Sequence, residues 1–212
     1  SAASPSPLKG EGGEGVTLEF ARVGTTRAEL RKLVRMDFFF YGTLLDEDVR
    51  RLVLGPEAAR LKLMPARLPG YRRVVKLHSS LPLLARRRGA SVEGLLVRGL
   101  DRHQAARLHH YEGRKYRLAR CRVRLADGAV CAAMVYLGQG RIPLRSGSWR
   151  LREWQRRSKR AFLKRSALWL AAYRQAGYET RGRVRWVKRW AARDKLLGPT
   201  AGTRRACARY RG

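Results

Sequence analysis

Met36-Asp37-Phe38-Phe39-Phe40-Tyr41-Gly42-Thr43-Leu44-Leu45-Asp46-Glu47-Asp48 is the stretch on which the fold turns. Phe38 to Tyr41 is a short apolar run closed by a glycine, the pattern of a buried strand in the interior of a sheet. Asp46, Glu47 and Asp48 then supply a cap and dipole-compatible acids to a helix running to about Leu54. Strand, glycine turn and capped helix in that order mark the start of a compact α+β unit.

Working outward, Pro69-Gly70 reads as a turn, followed by a strand from Tyr71 to Leu77. Ser91 to Leu100 reads as a further central strand. Asp101 opens a helix through about Tyr111, with Gly113 as its stop. The clearest local feature is a hairpin over Tyr116–Leu137, with Asp127-Gly128 as a two-residue turn. Pairing about that turn sets Leu125 opposite Val130 and Arg124 opposite Cys131. Cys121, Val123 and Leu125 then face the core, while Arg120, Arg122 and Arg124 face out. Cys121 and Cys131 are not cross-strand partners on this register, so no disulfide is expected between them.

Beyond Pro143 the composition changes. Leu151, Trp154, Ser158, Ala161, Phe162, Trp169 and Ala172 recur at helical spacing over about 25 residues, ending near Gly177. Trp154, Phe162 and Trp169 are expected to pack this helix on the domain, and the opposite face carries Arg152, Arg156, Arg160 and Lys164. A second helix is expected from Arg183 to Leu197. At the other end, residues 1–15 read as a polar Gly/Pro arm, followed by a short strand over Val16–Val23 and a helix over Arg27–Leu33. Three segments result: an extension over 1–35, a compact domain over 36–140, and an Arg-rich helical extension over 141–212.

The charge is uneven across these segments. Forty-eight Lys and Arg against sixteen Asp and Glu give a net charge of +32. Residues 141–212 hold twenty-two basic and three acidic side chains of that total. A charge of this size repels itself in the compact state, which points to an anionic partner. RNA is the expected partner: it can surround a protein, whereas a membrane touches one side. Arg86, Arg87, Arg88, Arg152, Arg156, Arg160, Lys164, Arg181, Arg183, Arg185, Lys188 and Arg189 are the candidate phosphate contacts, since Arg offers bidentate phosphate bonds and stacks on bases. No apolar run is long enough to span a bilayer. Three cysteines and four histidines lack metal-ligand spacing, so neither a metal nor another cofactor is expected. A start at Ser1, in Ser-Ala-Ala-Ser-Pro-Ser-Pro, is compatible with a removed transit peptide.

Three ordered motifs carry a family resemblance. Phe39-Phe40-Tyr41-Gly42-Thr43-Leu44-Leu45, Leu68-Pro69-Gly70-Tyr71 and Leu108-His109-His110-Tyr111-Glu112-Gly113-Arg114-Lys115-Tyr116-Arg117, with Val92-Glu93-Gly94 between the last two, resemble the gamma-glutamylcyclotransferase-like family over about 36–140. The resemblance implies a mixed, partly closed β-sheet around a pocket, flanked by helices, with the basic helices appended. It implies that Glu112 is the general base and that Tyr41, Gly42, Thr43 and Leu44 cradle a γ-glutamyl substrate. His109, Arg114 and Lys115 depart from the family pattern, where acids often stand, and make the pocket rim positive. His109 and His110 read otherwise as surface residues at a helix end.

Two functions follow. The first is an RNA-binding structural component of a large ribonucleoprotein, a mitochondrial ribosome in the matrix, contacting rRNA and neighbouring proteins, with any turnover at Glu112 weak or absent. The alternative is a soluble cytoplasmic gamma-glutamylcyclotransferase that releases 5-oxoproline from γ-glutamyl amines or peptides.

Overall fold

The computed structural model describes residues 35–113, 115–139, 143–145 and 147–175. Strand β1 (Met36–Phe40) is the aromatic run, and it lies between two longer strands. On one side it pairs antiparallel with β3 (Pro82–Leu100), Phe38 opposite Val97. On the other it runs parallel to β5 (Val130–Gly138), meeting it at Met134. β5 pairs with β4 (Tyr116–Leu125), β4 with β2 (Leu63–Lys76), and β2 with β3, closing a five-stranded barrel. The short β6 (Leu144–Arg145) adds to β2 beside Val75 and Lys76.

Burial on both faces explains the unbroken aromatic run of β1. Phe39 and Tyr41 join the barrel interior with Leu68, Val92, Leu96, Val123 and Val135. Phe38 and Phe40 enter a second cluster with Val49, Val53, Leu108, Trp154 and Phe162, under the helices. β1 and β3 cross closely: a Cβ at Gly94 would fall 2.2 Å from the Phe40 carbonyl oxygen, so only glycine fits.

The strands are longer than the local signals indicate. Pro69-Gly70 is not a turn between elements, because β2 runs through it; the register slips between Pro69 and Tyr71 with Gly70 at φ +80°. The pair bends a continuous strand, as a bulge does. β3 likewise begins at Pro82, not near Ser91, so Arg86, Arg87 and Arg88 lie on a strand. The hairpin register also moves by one: Arg124 faces Val130 and Val123 faces Cys131. Gly128 N–H donates to Leu125 O at 3.0 Å and Leu125 N–H to Ala129 O at 2.8 Å, with Gly128 at φ +83°. Gly128 thus follows the tight turn as a bulge, and the loop exceeds two residues. The alternation of β4 survives, with Val123 and Leu125 buried, Arg122 and Arg124 exposed, and Arg120 and Cys121 half-buried. Cys121 is free and lies opposite Ala133, so it is not bonded to Cys131.

Four α-helices are described. Helix α1 (Glu47–Leu54) is capped by Asp46, whose Oδ1 accepts from the N–H groups of Asp48 and Val49. Helix α2 (Arg102–Glu112) starts with an Asp101/Gln104 capping box and stops at Gly113. In place of one helix after Pro143 there are two, α3 (Leu151–Arg157) and α4 (Lys159–Gln175), separated at Ser158. The break lets Trp154 and Phe162 meet edge to face at 5.2 Å while both remain buried. Trp149, Trp154, Phe162 and Leu170 share the cluster under β1, so packing continues well past residue 140. Trp169, expected to be packed, is 52 % exposed. The elements expected over 16–23, 27–33 and 183–197 lie outside the described residues.

Candidate active site

The barrel opens into a cavity of about 990 Å³. Its inner wall is built by the end of β1 and the end of α2. Tyr41, Gly42, Thr43, Leu44, Tyr111, Glu112, Tyr116 and Tyr136 all line it. Thr43 and Leu44 open a single 3₁₀ turn (Thr43–Leu45), and Gly42 has no side chain to cap it. The opening N–H groups of that turn are therefore not occupied by a capping side chain. Gly42 is also required by space, because a Cβ there would come within 2.8 Å of Pro82 Cγ.

The side chains are fixed by short polar contacts. Tyr41 Oη donates to the Tyr136 carbonyl at 2.8 Å, and the hydroxyls of Thr43 and Tyr111 share a hydrogen bond of 2.8 Å. His109 is not a surface residue: it is half-buried, with Nδ1 3.2 Å from Tyr136 Oη, and burial holds its pKa below the usual value. His110 stacks on the Trp169 indole at 4.7 Å. Glu112 differs from all of these. It is half-buried and lines the cavity. Burial pushes its carboxyl up to about 8, and no hydrogen bond or ion pair from a described residue offsets that loss of hydration. Burial first, and the Glu112 charge second, hold the phenols of Tyr41, Tyr111, Tyr116 and Tyr136 above their usual value. Among these side chains Glu112 is the one whose raised value, about 8, lies near neutral pH.

The outer wall comes from parts of the chain whose sequence pattern points elsewhere. The connection between β2 and β3 contributes Lys76, His78 and Leu81, while the α3–α4 region contributes Trp149, Arg150, Trp154, Phe162, Arg165 and Trp169. Helical tryptophan spacing was visible in the sequence, but nothing in it aimed these residues at a cavity. Asp46 ties the two walls together: Oδ1 caps α1, and Oδ2 accepts from Gln155 Nε2 and Lys159 Nζ, both at 2.8 Å.

The candidate phosphate contacts are not gathered in this cavity. Arg86, Arg87 and Arg88 are exposed on β3, with the Arg86 guanidinium 5.5 Å from the Tyr71 ring centre. Arg152, Arg156, Arg160 and Lys164 are exposed on α3 and α4. Arg114, Arg181, Arg183, Arg185, Lys188 and Arg189 lie outside the described residues, and Lys115 is exposed at the rim. Among the described residues no cluster of His, Cys, Asp and Glu is arranged to hold a metal, and no helix is long and apolar enough to cross a membrane.

The family described as "Gamma-glutamyl cyclotransferase, AIG2-like" matches residues 38–151, from β1 to the first residue of α3. The chain belongs to this family. Among solved structures it is similar to a solution structure from Arabidopsis thaliana, at 23 % identity and TM-score 0.45, covering 61 % of this chain and 86 % of that one. It is similar to a human protein described as uncharacterized, at 16 % identity and TM-score 0.45, covering 51 % and 69 %. A structure named gamma-glutamyl cyclotransferase is 15 % identical, with TM-score 0.45, covering 52 % and 70 %. No curated protein matches the chain. The cyclotransferase match stops at residue 151, so most of the cavity's outer wall in α3 and α4 lies beyond it.

Proposed function

We propose that the barrel cavity performs a cyclotransferase reaction on γ-glutamyl amides, with Glu112 as general base. The observation that carries this reading is the Glu112 carboxyl, held near 8 by burial, in the lining of a cavity that the Tyr41–Leu44 segment also lines. A carboxyl at this pKa is divided between its two forms near neutral pH, which suits proton transfer in both directions. Glu112 takes a proton from the substrate's α-ammonium, and the freed nitrogen attacks the γ-carbonyl carbon to form the ring C–N bond. Collapse of the tetrahedral intermediate breaks the bond to the leaving amine. The ring nitrogen gives up two protons in all and the leaving nitrogen takes up two, carried in turn by Glu112, so the reaction balances without water. The uncapped N–H groups at Gly42–Leu44 are suited to the substrate's α-carboxylate.

A second role is favoured by a separate observation, the net charge of +32 with its excess in residues 141–212. In this reading the protein is an RNA-binding component of a large ribonucleoprotein, a mitochondrial ribosome in the matrix, and the exposed arginines of β3, α3 and α4 contact rRNA. A preserved cavity with a proton-exchanging acid gives the catalytic reading more weight than a scaffold role alone would.

Release of 5-oxoproline from γ-glutamyl amides by the full-length protein tests the first reading, and its absence at every pH between about 6 and 9 removes it. Co-sedimentation with ribosomal particles, lost at high salt, tests the second; a small free species at low salt removes it.

A further inference from the structure

Three neighbouring strands of the barrel, β4, β2 and β3, turn arginines to solvent on their outer face. On β4, Arg122 and Arg124 are exposed while Val123 and Leu125 are buried; on β2, Arg67 is exposed between buried Ala66 and Leu68. The two strands pair with Arg67 directly opposite Arg124. On its other side Arg67 stands opposite Glu93 of β3 and forms an ion pair with it at 2.6 Å. Arg122 and Arg124 have no ion pair with a described residue. Paired strands lie about 5 Å apart and alternate residues of one strand about 7 Å apart, so these side chains share one patch. Like charges directly opposite in a sheet destabilise it, and a bound anion relieves that cost.

A bulge of β3 extends the patch. β2 passes from Pro69 to Tyr71 while β3 passes from Ser91 back to Arg86, so residues 87–90 have no register partner on β2. Among them Arg87 and Arg88 are exposed and have no ion pair with a described residue. The bulge stands opposite Gly70, three residues along β2 from Arg67, a distance of about 10 Å. The composition of this face selects its partner. Its cations are all arginines, whose planar forks bond phosphate oxygens in pairs. Among the described residues the exposed large hydrophobics are Leu144, Leu168 and Trp169, on β6 and α4, and Tyr71, the ring beside Arg86, is buried. Without an apolar anchor the face does not suit a bilayer surface. Without an exposed ring it offers no platform on which the bases of a single strand could stack. The phosphate backbone of helical RNA, which proteins recognise by shape and charge, asks for neither.

We infer that the outer face of β4, β2 and β3 is a binding surface for double-stranded RNA, on which Arg67, Arg87, Arg88, Arg122 and Arg124 hold the phosphates. The inference rests on the ribonucleoprotein reading and adds to it a surface separate from α3 and α4 and the form of RNA bound. None of the five arginines lines the cavity, so the surface is independent of the cyclotransferase reading.

The test titrates the full-length protein with three probes: a mixed-sequence RNA duplex of about 20 base pairs, oligo-uridine of the same length, and vesicles containing phosphatidylserine. The duplex is expected to bind tightest. Changing Arg87, Arg88, Arg122 and Arg124 together to Gln should lower the slope of log affinity for the duplex against log salt by about 3–4, at ~0.9 per phosphate contact. Phenylglyoxal modification of the native protein, read by mass spectrometry, supplies a measurement that needs no variant: the duplex should protect Arg122 and Arg124. A slope unchanged in this variant but lowered when Arg152, Arg156, Arg160 and Lys164 are replaced overturns the surface and keeps the RNA reading. Unprotected Arg122 and Arg124 in the saturated complex overturn it as well. Tighter binding of oligo-uridine or of the vesicles overturns the duplex as the partner. Failure of the native protein to bind either RNA at about 50 mM salt removes the surface and the RNA reading together.

Discussion

Two sets of ionisable side chains in the lining of one cavity are treated by opposite rules. Around Glu112 the protein removes water and supplies no compensating cation, so a carboxyl that would ordinarily be ionised is held near 8. Around Arg150 and Arg165 it leaves cations exposed and unpaired with any described acid. Glu112 ends α2 inside the family's motifs; Arg150 precedes α3 within the family match, and Arg165 on α4 lies beyond it. Burial raises the proton affinity of Glu112, whereas the exposed cations keep their hydration. The contrast teaches that one cavity lining can hold a dehydrated acid and hydrated cations side by side.

The sharpest break in that contrast is Glu112→Gln. Loss of the base is expected to lower 5-oxoproline release about 10²- to 10⁴-fold. The same change should stabilise the fold, because the raised pKa marks a buried charge that disfavours the folded state. The folded carboxyl binds its proton more tightly than the unfolded one, so stability falls as pH rises from about 4.5 to about 8 and is then level. Above that window Glu112→Gln is expected to add on the order of 3–5 kcal/mol, and below pH 4 almost nothing. Denaturant midpoints at the two pH values check it; equal shifts at both would show that Glu112 is not perturbed. On the cyclotransferase reading, kcat/KM of the native protein should rise about tenfold per pH unit below 8 and level off above it.

On the outer surface the expected effect is on salt dependence. Replacing Arg152, Arg156, Arg160 and Lys164 together by Ala should reduce the slope of log affinity for RNA against log salt by about 3, at ~0.7–0.9 per cation. An unchanged slope in a filter-binding titration would take these residues out of any RNA contact. The variant also sharpens the contrast, since these side chains do not line the cavity.

Trp154→Ala removes a buried indole shared by α3, Phe162 and the cluster under β1, and is expected to cost about 3–5 kcal/mol. A smaller loss belongs to Asp46→Asn, which keeps a capping oxygen but loses the charge facing Lys159. It should cost about 1–2 kcal/mol. Burial raises the Asp46 carboxyl, but the hydrogen bonds from Lys159, Gln155 and Val49 outweigh it and hold the pKa below the usual value. This contribution is therefore present at neutral pH and lost as pH falls through the lowered folded value. A variant that loses as much stability at pH 2 as at pH 7 would contradict it. The smallest effect is that of Leu168→Ala, on α4 but 73 % exposed, which should stay within about 0.5 kcal/mol. Parallel urea titrations measure all three.

Local chemistry was legible from the residues themselves. The aromatic run of β1, the caps at Asp46 and Asp101, the stop at Gly113 and the inward alternation of Val123 and Leu125 depend on neighbours in sequence, and each is where its residues place it. The ordered motifs around Tyr41–Leu44 and Glu112 carried the family for the same reason. Register and length were decided elsewhere: Pro69-Gly70 looks like a turn, yet pairing with β3 on both sides carries β2 straight through it. Only packing could bring Gln155 and Lys159 onto the second oxygen of Asp46, more than a hundred residues away. Only packing could raise Glu112, because a carboxyl's pKa depends on what surrounds it in space, and the sequence shows just what surrounds it along the chain.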